Sequence, residues 1–409
     1  MYTYLTLKNM MLHLVGWAMP TLLFFLLVGC NQTPTESSLT PNQEREECVA
    51  EYDPNRDYFP NKTELDYAEG FQVEYFNHYK VISVLNPWRN AEVTFQYVLV
   101  QCGTPIPDGF EAAQVVEVPV ENVVSLSTTN LPHLEKLGML DRLIAVGRPQ
   151  VINTPAVREK IEQGEMPGVR KGSSLNFELV LSLDPDLVMT FGTGNPQFDT
   201  FPKLMELGIP TGIIAEYMES SPLGQAEWIK FTALFFNREG KAESVFTDIA
   251  TRYEKRRKIA QNVSNRPTVL TGFNRSGNWS VSGGNSYVAQ YLEDAGANYI
   301  WAENKSAGSV PLDFEAVYAK GRGADYWLHV SQDWESLEEI IAQDQRYAKF
   351  QAVQENQVYN NDARLNANGG NDFWESGMVN PDVVLADLIK ILHPELLPEH
   401  ELVYYRKLE

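Results

Sequence analysis

The stretch Leu175-Asn176-Phe177-Glu178-Leu179-Val180 recurs, lightly edited, as Leu312-Asp313-Phe314-Glu315-Ala316-Val317. Each copy opens a segment that reads as a short helix running into a strand, at residues 186–189 in the first copy and 325–328 in the second. An Asn or Asp stands two residues ahead of each Glu, which puts Glu178 and Glu315 in a first helical turn near the positive end of the helix dipole. One such acid is ordinary helix chemistry, contributing about 0.3–1 kcal/mol. Recurrence of the whole phrase says more. A chain that repeats one βα unit in its two halves has two similar lobes, and matching exposed acids suit a molecule that docks symmetrically.

Outward from the first copy, short apolar runs alternate with amphipathic helices, the texture of parallel βα units. Strand 123–126 leads through Ser127-Thr128-Thr129-Asn130 into a helix with Leu131, Leu134 and Leu137 on one face, stopped by Gly138. Strand 143–146 follows, then a helix opened by Thr154-Pro155, with Pro in its first turn. A helix over 198–207 and a strand over 211–215 complete a first lobe, 113–221. A second lobe, 263–409, begins with strand 268–273 and ends in a helix opened by Pro381. Between them, 222–262 has no strand signal but carries Trp228, Phe231, Leu234, Phe246, Ile249 and Tyr253 at helical spacing, with Gly240 as the only pause. It reads as a stiff helical connector. Residues 48–112 hold three runs of β-branched and aromatic residues (73–76, 80–84 and 94–100) and read as a small β-rich extension, an antiparallel meander packed on the first lobe.

The N-terminus bears on location. Residues 12–28 are almost wholly apolar, preceded by Lys8 and interrupted by Pro20, and end Leu27-Val28-Gly29-Cys30. That is short for a membrane span of roughly twenty residues and fits a signal-peptide core over 1–29. Small residues before a Cys resemble a bacterial lipobox, in which Cys30 is lipidated and becomes the first mature residue; a weak transmembrane anchor is the alternative. Either way the body is expected to be exported and held at a bacterial membrane, on its periplasmic side or at the cell surface. Residues 30–47 are polar and Pro-containing and read as a flexible tether. Cys48 and Cys102 remain, either as a disulfide adding roughly 4 kcal/mol by the chain-entropy model or as two buried thiols. With 33 Lys and Arg against 54 Asp and Glu, the formal charge of −21 argues against nucleic acid and against electrostatic attachment to anionic lipid.

Residues 122–397 resemble the periplasmic and lipoprotein substrate-binding proteins of ABC importers for iron-siderophores and vitamin B12. The resemblance rests on NVVSLSTTN (122–130), Leu137-Gly138, DRLIAVG (141–147), LNFE (175–178) with LDPDLV (183–188), YAKFQAV (347–353), Val358-Tyr359 and Pro381-Asp382-Val383, in that order. It implies an α/β protein of two Rossmann-like lobes joined by one long helix, with ligand between the lobes; the sequence offers no catalytic constellation, so no enzymatic activity is expected. It also implies that Glu178 and Glu315 pair with arginines of a permease dimer, where rim charges serve orientation and encounter more than affinity. Residues 48–112 lie outside the resemblance.

A cleft between such lobes is lined by loops at the carboxyl ends of strands. Those loops carry Arg148, Phe191, Asn195, Tyr217, Arg275, Trp279, Asn285, Arg364, Asn371, Phe373 and Trp374. Aromatics cover flat ligand surfaces and a few polar groups set orientation, while arginines make forked bonds to an anionic chelate. Trp279, Arg364 and Trp374, in the longest Gly/Asn-rich loops, are the leading candidates; Arg148, Tyr217, Arg275, Asn371 and Phe373 complete the expected set. Loop aromatics that pack the lobes, and arginines paired with acids such as Asp362, are the competing reading. The arginines favour a ferric-siderophore chelate over a largely neutral corrinoid. No intrinsic cofactor or metal is expected: the six His are scattered without metal-ligand spacing, and no Walker loop, Gly-x-Gly-x-x-Gly or Gly-x-Ser-x-Gly occurs. The expected partners are the permease dimer, the chelate and the membrane through the lipid anchor, with the protein itself a monomer. A surface lipoprotein that has kept the fold and lost transport is the third possibility.

Overall fold

A computed structural model describes residues 48–409; the expected signal peptide, Cys30 and the tether lie outside the described residues. The extension supplies β1 (Phe71–Tyr75), β2 (Tyr79–Val84) and β3 (Phe95–Gln101), the expected antiparallel meander. β4 (Gln114–Val118) then adds parallel to β3, so residues 114–118 belong to the extension sheet and not to the first lobe. The reason is burial: Val116 and Val118 share a core with Tyr97 and Leu99 of β3. Cys48 and Cys102 form a disulfide with Cα atoms 4.9 Å apart, which clamps the start of the extension to the end of β3.

The first lobe contains β5 (Val123–Ser125), β6 (Leu143–Val146), a small hairpin β7 (Arg170–Lys171) and β8 (Ser174–Leu175), then β9 (Leu187–Thr190) and β10 (Thr211–Ile213). Its parallel sheet has the order β10-β9-β5-β6. In the second lobe come β11 (Thr268–Thr271), β12 (Asn274–Arg275), β13 (Asn278–Ser282), β14 (Asn298–Tyr299), β15 (Ser309–Leu312), β16 (Tyr326–Leu328), β17 (Val358–Asn360) and β18 (Arg406–Lys407). Its main sheet runs β14-β11-β16-β17-β18, parallel except for the last strand. Counted within each lobe, both parallel sheets have the spatial order second, first, third, fourth.

The duplication reaches individual side chains. Helices Phe177–Ser182 and Phe314–Gly321 feed the third strand of each lobe, β9 and β16. Asn176 and Asp313 are their N-caps, accepting from the N–H groups of Leu179 and Ala316 at 3.1 and 2.7 Å. Val180 and Val317 are both fully buried. One residue ahead of each third strand, an Asp pins the start of the first strand. Asp186 accepts from the N–H groups of Glu121 and Asn122, and Asp325 from that of Thr268.

The connector differs from the expected single rod. It is two helices, Pro222–Leu234 and Glu239–Ala260, broken not at Gly240 but at Asn237, whose φ of 52° ends the first helix. Every residue of the first helix is buried, because the extension covers the side that the lobes leave open. Glu227 accepts from the N–H groups of Asp66, Tyr67 and Ala68 at 2.7–3.0 Å, which offsets the cost of burying its charge. Phe71, Ile82 and Tyr97 of the extension pack with Trp228, Phe231 and Phe235 of this helix in one core. The second helix lays Phe246, Ile249 and Tyr253 against Leu385 and Leu388 of the terminal helix Pro381–Leu392. Among the described residues no helix is long and apolar enough to cross a membrane.

Candidate functional site

In a sheet ordered second, first, third, fourth, the connections leaving the first and third strands diverge and open a crevice beyond their carboxyl ends. Both lobes have a pocket at that point. The first-lobe pocket, about 120 Å³, is lined by Ser127, Thr128, Gly147, Arg148, Ile152 and Phe191, from the ends of β5, β6 and β9. The second-lobe pocket, about 520 Å³, is lined by Phe273, Arg275, Tyr287, His329, Asn360 and Trp374, among others, from the ends of β11, β16 and β17.

The rims of the two pockets are tied together twice. On one tie, Asn366 Nδ2 donates to the carbonyls of Gln150 and Ile152, and Gly370 lies so close to the Val151 carbonyl that any side chain there would collide. Beside Trp374, the Glu375 carboxylate accepts from the N–H groups of Asn153 and Thr154 at 2.9 and 2.6 Å. The second tie comes from the extension. Trp88, in the turn between β2 and β3, lies against Gly192 and Gly194 beyond β9, where an added Cβ would meet its indole. The next residue, Arg89, donates to Ser306 Oγ at 2.5 Å and to the Ser309 carbonyl in the second lobe. The N-terminal extension thus reaches both sides of the cleft.

The structure sorts the candidate residues by what they touch. Arg148, Arg275 and Trp374 line the pockets, and Phe191 joins them. Tyr217 is at the rim, but its hydroxyl donates to the carbonyls of Gly192 and Pro87 and so holds the extension turn in place. Trp279 is a correction. The expected loop is instead the β12–β13 hairpin, and its alternation turns Trp279 inward, fully buried between Trp327 and Phe350, with Nε1 bonded to the Thr271 carbonyl. Phe373 is likewise core, 4% exposed and edge-on to Tyr404 and Tyr405. Arg364 pairs with Asp372 at 2.8 Å, while Asp362 takes Arg406. The Asn371 amide is used within its own loop, by the Asn361 carbonyl and the Phe373 N–H. Asn195 serves a local turn, and the Asn285 amide donates to the Lys305 carbonyl of a neighbouring loop.

Several cleft residues carried no flag in the sequence. Tyr287 opens a helix, Asn360 ends β17, and His329 follows β16 in a left-handed conformation, φ 57°, unusual for a residue with a side chain. Position at a strand's carboxyl end was the usable signal. His329 Nε2 meets the Tyr405 hydroxyl at 2.6 Å, and burial pulls its imidazole down to about 4, so it is neutral at physiological pH. On the first-lobe side, burial pushes the Glu216 carboxyl up to about 7, against the lowering effect of a hydrogen bond from Thr129. Burial, with the Glu216 charge as the lesser cause, raises the Tyr287 hydroxyl of the other lobe.

Electrostatically the two pockets share one feature. Arg148 and Arg275, one from each lobe, make no ion pair among the described residues, in a chain whose formal charge is −21. Arg170 stands near enough to Arg148 that burial and this like charge both pull its guanidinium below its ordinary value. Among the described residues no cluster of three or more His, Cys, Asp or Glu is placed to hold a metal ion.

Glu178 and Glu315 are both exposed. A helix that feeds a parallel strand through a short loop starts at the sheet edge where that strand ends, so both acids lie on the cleft edge. Glu315 is paired with Arg346 at 3.3 Å, whereas Glu178 has no ion pair among the described residues.

Comparison with known proteins agrees with this architecture. The family model described as periplasmic binding protein matches residues 123–365, so the chain belongs to that family, the solute-binding proteins of ABC importers. An uncharacterized lipoprotein of Methanocaldococcus jannaschii is 24% identical over 373 residues, covering 84% of this chain and 85% of its own. A vitamin B12-binding protein of Vibrio parahaemolyticus is 31% identical over 109 residues, 26% of this chain and 35% of its own. A possible iron-binding, periplasmic solute-binding protein of Staphylococcus epidermidis superposes with a TM-score of 0.54 at 15% identity, over 67% of this chain and 99% of its own.

Proposed function

We propose that this chain is a lipid-anchored substrate-binding lipoprotein that captures an anionic ferric-siderophore chelate between its lobes and delivers it to an ABC permease dimer. The observation that carries the ligand class is the pair Arg148 and Arg275, which line the cleft pockets of opposite lobes and make no ion pair among the described residues. Both side chains are exposed, so their guanidinium groups are free to make forked hydrogen bonds to a multidentate anion. Anchoring through Cys30 is supported by relatives named as lipoproteins. Glu178 and Glu315, on the cleft edge of each lobe, are the proposed contacts to permease arginines.

A second reading, a corrinoid ligand, is favoured by the partial match to a vitamin B12-binding protein and by the neutral Ser, Asn and His side chains that share the second-lobe pocket with Arg275. Tryptophan fluorescence separates the two, since Trp374 is 43% exposed at the cleft. Tight quenching by ferric siderophores that is lost in Arg148→Ala with Arg275→Ala supports the first reading. Quenching by cobalamin that survives those substitutions selects the second. No response to either would leave a surface lipoprotein without transport.

A further inference from the structure

β17 ends at Asn360, whose side chain is 1% exposed. Neither its Oδ1 nor its Nδ2 has a hydrogen-bond partner among the described residues. Its neighbours are accounted for: the Asn371 amide is spent within its loop, the Asn366 amide crosses to the first lobe, and Ser331 Oγ bonds Asp333. Buried polar side chains are nearly always paired, so one with both ends open calls for an explanation. Asn360 is on the wall of the 520 Å³ cleft pocket, together with His329, Tyr287 and Trp374. The same wall holds His329 in its left-handed conformation, the kind of backbone outlier that gathers at ligand sites.

A carboxamide presents one donor and one acceptor on a single edge. A bare oxyanion satisfies Nδ2 but faces Oδ1 with a second acceptor, which is repulsive. An amide of the ligand, with its own N–H and C=O, satisfies both. We propose that Asn360 reads an amide group, so that the cargo is an amide-bearing metal chelate and not a simple carboxylate complex. The proposal rests on reading this cleft as the chelate site. Amides of this kind occur in the backbone of hydroxamate chelators and at the rim of corrinoids, and both are tested.

The test uses the full chain with three probes: ferric citrate, an anion with no amide; ferric aerobactin, an anionic hydroxamate chelate with secondary amides; and cyanocobalamin, a neutral corrinoid with primary amides. Wild type is expected to bind one amide-bearing probe at least tenfold more tightly than ferric citrate, and the probe that binds names the source. Asn360→Leu and Asn360→Asp are each expected to weaken that binding by about ten- to a hundredfold, the usual consequence of leaving a buried polar group of the ligand unpaired. Asn360→Leu is also expected to keep or raise Tm, because it removes an unpartnered buried amide; a purely structural role would lower it. Wild-type affinity in Asn360→Leu, a lowered Tm, or ferric citrate binding as tightly as the amide probes overturns the proposal and leaves the importer reading standing. Failure of wild type to bind any of the three overturns the chelate reading itself, and this inference with it.

Discussion

Arg89 of the N-terminal extension donates from Nη2 to Ser306 Oγ of the second lobe at 2.5 Å, directly after Trp88 has packed on Gly192 and Gly194 of the first. Two adjacent residues therefore touch both lobes beside the cleft. The extension bridges the two lobes beside the site as well as covering the connector helix. Replacing both, as Trp88→Ala with Arg89→Ala, is expected to raise the ligand dissociation rate by about three- to tenfold, the worth of a charged hydrogen bond and a ring contact. Association should change little. Stopped-flow fluorescence reads both rates, and an unchanged dissociation rate would remove the extension from the binding cycle.

Sorting the loop residues predicts a split between stability and affinity. Trp279→Ala should cost about 3–5 kcal/mol in denaturant unfolding, as expected for a large side chain removed from a packed core. Arg148→Ala and Arg275→Ala should leave the unfolding midpoint in place and weaken anionic ligands. If Trp279→Ala were as stable as wild type, its assignment to the core would be wrong.

The proposed docking role of Glu178 and Glu315 predicts a separation of binding from transport. Glu178→Arg with Glu315→Arg should keep ligand affinity and abolish uptake in cells, since both side chains are exposed. Breaking the Glu315–Arg346 pair has little bearing on stability, because it is a solvent-exposed ion pair. Normal uptake by the double variant would exclude these two acids as the permease contacts.

Glu216 predicts a pH dependence. Its carboxyl is raised by burial from 4.5 to about 7, so between those values the folded chain holds a proton that the unfolded chain has lost. The contribution to stability is full below pH 4.5 and is lost as pH rises through 7. Glu216→Gln should abolish that component and stabilise the protein at pH 8 by up to about 3 kcal/mol. Parallel Tm–pH curves for wild type and variant across pH 4.5–8 would contradict it.

The disulfide predicts a redox-dependent midpoint. Reduction, or Cys48→Ala with Cys102→Ala, should lower stability by roughly 2–4 kcal/mol. The loss should be read in the extension first, by hydrogen exchange over β1 to β3, because the bridge ties its start to its end.

What the sequence alone determined is what is encoded locally. The paired Phe-Glu phrases, their Asn176 and Asp313 caps, the stop at Gly138 and the Pro155 and Pro381 helix starts depend on residues within a few positions of one another, and all of them stand in the structure. Order along the chain then implied two lobes, since a repeated βα unit builds a repeated sheet. Which loop side chains face the ligand was decided only by tertiary contacts. Arg148 and Arg364 look alike in sequence, but Arg364 is paired with Asp372 and Arg148 makes no ion pair among the described residues. The alternation of β13 turned Trp279 into the core, and Asn360 gained its place in the cleft from strands that pair with β17 across the fold. The extension's hold on both lobes joins Arg89 to a residue more than half the chain away. Such contacts are set by packing between distant segments, which local propensity does not record.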